Sequence, residues 1–223
     1  MSVRDVASPP ESGWKDPYGD DFYTEAEGAV DTLGHLGPLA ALAGSWEGLK
    51  GFDQHPQFDG LESDVFVERY ELQPIDRQTN GPQLFYGLRY HTHVVRPGER
   101  ETFHDQVGYW LWEPAAEAVT LSLTIPRGQA LLASGHATST DTEFEVRAVM
   151  GASTFGILSN PFLDRAFKTT SYRMSVRVNS DGTWSYEEES TLMLPGVLQP
   201  FLHLDRNTLT RIGPALANPM ALP

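Results

Sequence analysis

Seven histidines and no cysteine set the chemistry open to this 223-residue chain. Without a thiol there is no disulfide, thiolate ligand or cysteine nucleophile, so bound iron would have to be held by His, Met, Tyr or carboxylate. His91 and His93 stand two apart, and on a β-strand such a pair projects from one face, a spacing that can clamp a metal. Gly87 before them and Glu99 after them come near the first cupin motif, although the spacings differ and no second motif follows. A solvated strand face is the simpler account of the pair. His104, Gln106 and Gly108 share one strand face, with Val107 and Tyr109 on the other. An inward His104 would meet a ligand, whereas at a barrel rim its hydrogen bonds would be its whole role. His203 lies within Pro200-Phe201-Leu202-His203-Leu204, an apolar shell in which a neutral imidazole could ligate haem iron. By itself, a lone histidine among apolar residues is more often a satisfied core residue.

Several enzyme signatures are missing: there is no GxSxG elbow, no GxxxxGK[ST] phosphate loop and no HExxH zinc motif. Thirty acidic against 16 basic residues give a net charge of −14, which repels phosphate backbones and anionic lipid. Neither nucleic acid nor a membrane is expected as a partner. The opening Met1-Ser2-Val3-Arg4-Asp5 lacks an apolar signal core, and no stretch reaches the roughly 18 apolar residues needed to span a bilayer. A cytoplasmic location is the default expectation.

The elements that would position these histidines are strands. Val119, Leu121, Leu123 and Ile125 alternate with polar residues, as do Phe144, Val146 and Ala148, and Tyr172, Met174, Val176 and Val178. Asn179-Ser180-Asp181-Gly182 then marks a hairpin turn into a strand over 183–193. Further strands are expected over 43–52, 64–72, 83–95, 102–112, 129–137 and 207–212. Short helical turns are expected over 35–43, where they could plug one end, and over 161–167. About ten antiparallel strands favour an all-β, closed up-and-down barrel, because closure removes exposed edges. The domain reading is a flexible acidic extension over 1–33, a barrel over 34–213 and a tail over 214–223. Gly44, Trp46 and Gly48 read as a barrel-start motif, the glycines permitting close approach and Trp46 closing an end.

Taken together, these motifs resemble the nitrobindin family, small haem-binding β-barrels with the architecture of fatty-acid-binding proteins. Leu36-Gly37-Pro38-Leu39 followed by Gly44-Ser45-Trp46-Glu47-Gly48 looks like the family's LxPL and GxWxGxG opening, with Lys50 in place of the last glycine and Gly51 after it. His104 through Trp110 looks like HxExGYW, with Gln106 for the acidic residue, and His203-Leu204 falls where the family carries its haem-ligating histidine. The spacing from His203 to Leu209 and Arg211 is one residue longer than the family's. The resemblance, from about Leu36 to Ile212, implies ferric haem b held axially by His203, with Gln57 and His104 also at the cofactor. It implies nitric-oxide handling or isomerisation of peroxynitrite to nitrate. The alternative expectations are a haem-free carrier of a fatty acid or other lipophilic molecule, and a metal-dependent enzyme at His91 and His93. A homodimer is left open as a partner state.

Overall fold

The computed structural model describes residues 16–57 and 60–222. Twelve strands appear among them: β1 (Gly44–Gln57), β2 (Gly60–Pro74), β3 (Gln78–Asn80), β4 (Gln83–Val95), β5 (Thr102–Glu113) and β6 (Ala118–Ile125), then β7 (Gln129–His136), β8 (Glu143–Met150), β9 (Gly156–Ser159), β10 (Lys168–Val178), β11 (Trp184–Met193) and β12 (Phe201–Gly213). Strands β1, β2, β4, β5, β6, β7, β8, β10, β11 and β12 succeed one another around a ring, each antiparallel to the next, and β12 closes it by pairing with β1. The expected all-β barrel is the fold.

The pairing is not purely antiparallel. Strands β7 and β8 meet only at Ser134 and Arg147, and β9 enters the gap between them, antiparallel to β7 and parallel to β8. Diverging strands leave backbone groups without partners, and β9 supplies them. The short helix α1 (Pro161–Ala166) follows at once, its N-terminus capped by Asn160, whose side chain accepts from the Leu163 amide.

Residues expected to plug one end do so. Two 3₁₀ turns, Leu33–His35 and Gly37–Leu42, present Leu36, Leu39 and Leu42 to the core, all fully buried. Trp46 on β1 donates its indole N–H to the Leu42 carbonyl at 2.7 Å and packs edge-on against Trp184, while the Arg211 guanidinium covers its ring at 4.1 Å. Apolar alternation thus fills this half of the barrel, with Trp110, Val119, Leu121, Met174 and Leu209 on the inner face.

Two features of β1 explain the opening motif. A Cβ on Gly48 would stand 2.2 Å from the Asn207 amide, so only glycine lets β12 approach there. Between Gly48 and Gly51 the β1–β2 pairing slips by one residue, the signature of a bulge. The extra residue is absorbed there, and Gly51 takes up the close approach, to the Phe66 ring.

The chain ends pack on the plugged side. Residues 1–15 of the expected extension lie outside the described residues. Beyond them, Tyr18 donates to Glu113 at 2.6 Å, and fully buried Asn218 in the tail accepts from the Thr32 amide while donating to Val30 and Asp76.

Candidate functional site

The end opposite the plug is hollow, with a cavity of about 520 Å³, a size suited to a small-molecule ligand. One side is apolar, including Phe66, Val94, Leu123, Leu131 and Met174, with Leu163 of α1 and Phe167 after it, and Arg96 and Arg127 also line the cavity. The other side is polar to an unusual degree. It carries His55 and His203 together with Asp53, Glu68, Glu188 and Asp205, while His104 on β5 stands beside Val94.

The strand order produces this wall. Contrary to the expected start at residue 207, β12 begins at Phe201 and pairs with β11 without a break from Leu192↔Phe201 to Trp184↔Leu209. His203 is therefore a strand residue, not part of a segment preceding the strand. The longer spacing before Leu209 causes no bulge against β11, and strict alternation turns His203, Asp205, Asn207 and Leu209 inward together. Likewise β1 runs on past residue 52 and turns Asp53 and His55 inward.

Asp53 is the hub. It is 2% exposed, accepting from His203 Nε2 at 2.8 Å on one oxygen and from His55 Nδ1 at 2.6 Å on the other. Burial alone would raise its pKa, but these two imidazoles hold it below the usual carboxylate range. Burial would likewise depress His203, yet the Asp53 hydrogen bond and the charges of Asp205, Asp53 and Glu188 carry it up to about 9. Asp205 Oδ2 lies 3.3 Å from His203 Nε2, and burial holds the Asp205 carboxyl well above the ordinary range. Glu188, accepting from Tyr172 at 3.1 Å, is raised by burial too. Glu68 is 1% exposed; burial pushes it up to about 7 even though Tyr186 and Asn207 both donate to it at 2.9 Å.

Of the residues singled out in the sequence, His203, His104 and Gln57 all line this cavity. His104, on β5, contacts Gln106 at 3.3 Å, and burial lowers its pKa. Gln57 is exposed at the end of β1, 3.4 Å from His55. His91 and His93 point outward: His91 meets Asp105 at 2.9 Å and His93 meets Thr102 at 3.0 Å. Among the described residues, the groups whose potential ligand atoms converge are Asp53–His55–Asp64 and Asp53–His203–Asp205, and neither includes the outward pair. Asp53-Gln54-His55 and Asp205 join the site without having stood out in the sequence. Their signal was present: an acid and a histidine at i and i+2, the same spacing noted for His91 and His93.

The family model described as "THAP4-like, heme-binding beta-barrel domain" matches residues 35–211. The chain belongs to this family. Among solved structures, the nitrobindin-like barrel is similar to the "Crystal Structure of Rv2717c from M. tuberculosis", with a TM-score of 0.56 and 22% identity over 81% of this chain and 96% of that one. That likeness speaks to the fold. No curated protein matches. The cavity supplies groups a haem would need: an imidazole backed by a carboxylate, an apolar wall and, in Arg127, a guanidinium suited to a propionate.

Proposed function

We propose that this barrel binds haem in its open cavity, as ferric haem b, with His203 holding the iron. One observation carries the assignment: His203 lines the cavity and gives one ring nitrogen to buried Asp53, as metal-binding histidines pair with a carboxylate. Asp53 fixes the ring orientation and raises the basicity of the remaining nitrogen. Phe66, Val94 and Leu123 exclude water from the apolar side, and Arg127 is the guanidinium to meet a carboxylate group of the ligand, Arg96 being paired with Asp64. Haem, when bound, supplies reactivity toward nitric oxide and peroxynitrite, and isomerisation of peroxynitrite to nitrate is the activity we propose.

A fatty-acid carrier is disfavoured by the wall itself. An apolar cavity with a few polar groups suffices for a fatty acid, whereas this one is lined by three imidazoles, His55, His104 and His203, that such a ligand has no use for. Haemin titration of the purified full chain, followed by absorption, tests the proposal. Wild type should take up one equivalent with a shifted Soret band, and His203→Ala should lose that spectrum. An identical spectrum in His203→Ala would remove His203 from the iron.

A further inference from the structure

The polar wall contains more than haem binding through His203 calls for. Strand β1 carries Asp53-Gln54-His55 and the neighbouring antiparallel β12 carries His203-Leu204-Asp205. Their register pairs Asp53 with Asp205 and Gln54 with Leu204, so the two motifs run as mirror partners on the inner face. The same row continues on both sides: Glu188 on β11 pairs with Asp205, and Asp64 on β2 pairs with Asp53. Four carboxylates thus stand side by side across four strands. Ionising all four would set like charges directly opposite one another and oppose sheet pairing, and burial accordingly raises the carboxyls of Asp205 and Glu188. Only Asp64, the outermost, has a guanidinium, Arg96 at 3.0 Å. The inner two, Asp53 and Asp205, face His203 between them, while Glu188 at the far end accepts from Tyr172.

We propose that Asp53, His203 and Asp205 form a binding site for a divalent first-row transition metal ion, separate in chemistry from the haem reading. Their ligand atoms lie within 4.8 Å of one another, and because a cation about 2.1 Å from each donor spans at most about 4.2 Å, a small closing shift of these side chains completes the set. His203 Nε2 already faces both carboxylates, at 2.8 and 3.3 Å, although one N–H can serve only one of them well. A cation there meets one imidazole and two carboxylates, a donor set suited to zinc, manganese, iron(II) or cobalt. His55 hydrogen-bonds the second oxygen of Asp53 at 2.6 Å and so orients that ligand from behind. The cavity provides the entry path, and its open space leaves coordination positions for water or a substrate oxygen. Because His203 belongs to this set, a metal ion and a haem iron compete for it.

The test uses the full chain, stripped with chelator and titrated with Co²⁺ by absorption and with Zn²⁺ by calorimetry. One ion per chain should bind, and zinc should raise the wild-type Tm, a readout that needs no variant. Asp53→Asn, Asp205→Asn and His203→Ala should each weaken cobalt binding at least tenfold, and His55→Ala roughly 10- to 100-fold. A double His91→Ala/His93→Ala variant should bind as wild type. The proposal is overturned by absence of stoichiometric uptake together with an unchanged Tm, or by uptake lost in the double variant but retained in Asp205→Asn. Haemin separates the two readings. Zinc binding that weakens haemin uptake supports the shared histidine, and zinc binding by a protein that takes up no haemin supports the metal site while defeating the haem assignment.

Discussion

Glu68→Gln offers a quantitative test of the buried acidic wall. Glu68 is 1% exposed, and burial raises its carboxyl from 4.5 to about 7. A group raised in the folded state contributes stability that is full below the unfolded pKa and lost as pH rises through the folded one. For Glu68 that window runs from about pH 4.5 to 7, and at about 1.4 kcal/mol per pH unit the loss across it is about 3 kcal/mol. Glutamine keeps the shape and still offers an oxygen to Tyr186 and Asn207, but it does not ionise. Its amide N–H₂ gains no assured acceptor, a cost of about 1–3 kcal/mol that is the same at every pH. Urea denaturation of both proteins at steps from pH 5 to 8.5 isolates the pH-dependent part. The difference in unfolding free energy should move in favour of Glu68→Gln by about 2–3 kcal/mol over that range, with matching m-values. Parallel stability curves would show that Glu68 ionises in the folded barrel as easily as in water, and the argument from burial would fail.

Four other outcomes are expected. Haemin binding through His203 should strengthen about tenfold per pH unit up to about pH 9, because the imidazolium that Asp53 and Asp205 stabilise must first lose the proton on its ligating nitrogen; a flat profile in a haemin titration from pH 6 to 9.5 would refute this. Gly48→Ala places a methyl against the Asn207 amide and should cost about 1–3 kcal/mol in a denaturant melt. Leu39→Ala hollows the fully buried plug and should cost about 2–5 kcal/mol while leaving cobalt affinity unchanged, since the plug lies at the other end from the metal ligands. Asn218→Ala strips fully buried hydrogen bonds that tie the tail to Thr32, Val30 and Asp76, and should lower stability by about 1–3 kcal/mol by the same assay.

Most strands were legible because their inner faces are apolar. Val119 to Ile125 and Tyr172 to Val178 show alternation that the barrel core uses directly. The strands lining the cavity were legible only in part. In β12 the inward positions are His203, Asp205 and Asn207 while Leu202 and Leu204 face outward, so the pattern is inverted and the strand seemed to begin only at residue 207. In β1 the same inversion hid Asp53 and His55. Strands β3 and β9, at three and four residues, are too short to show a period at all. The site was accordingly half visible, with His203 and His104 found and the carboxylates around them missed.

Composition and periodicity by themselves determined an all-β chain with a short apolar segment ahead of its first strand, because hydrophobic alternation and glycine placement act locally and can be read residue by residue. The opening and closing motifs also marked the family and His203. Only the tertiary structure decided what surrounds that histidine. Closing the ring sets β1 against β12, bringing Asp53 within 2.8 Å of a residue 150 positions away and aligning four carboxylates across four strands. Such neighbours are fixed by strand register, and a one-residue slip would have turned the whole set to solvent.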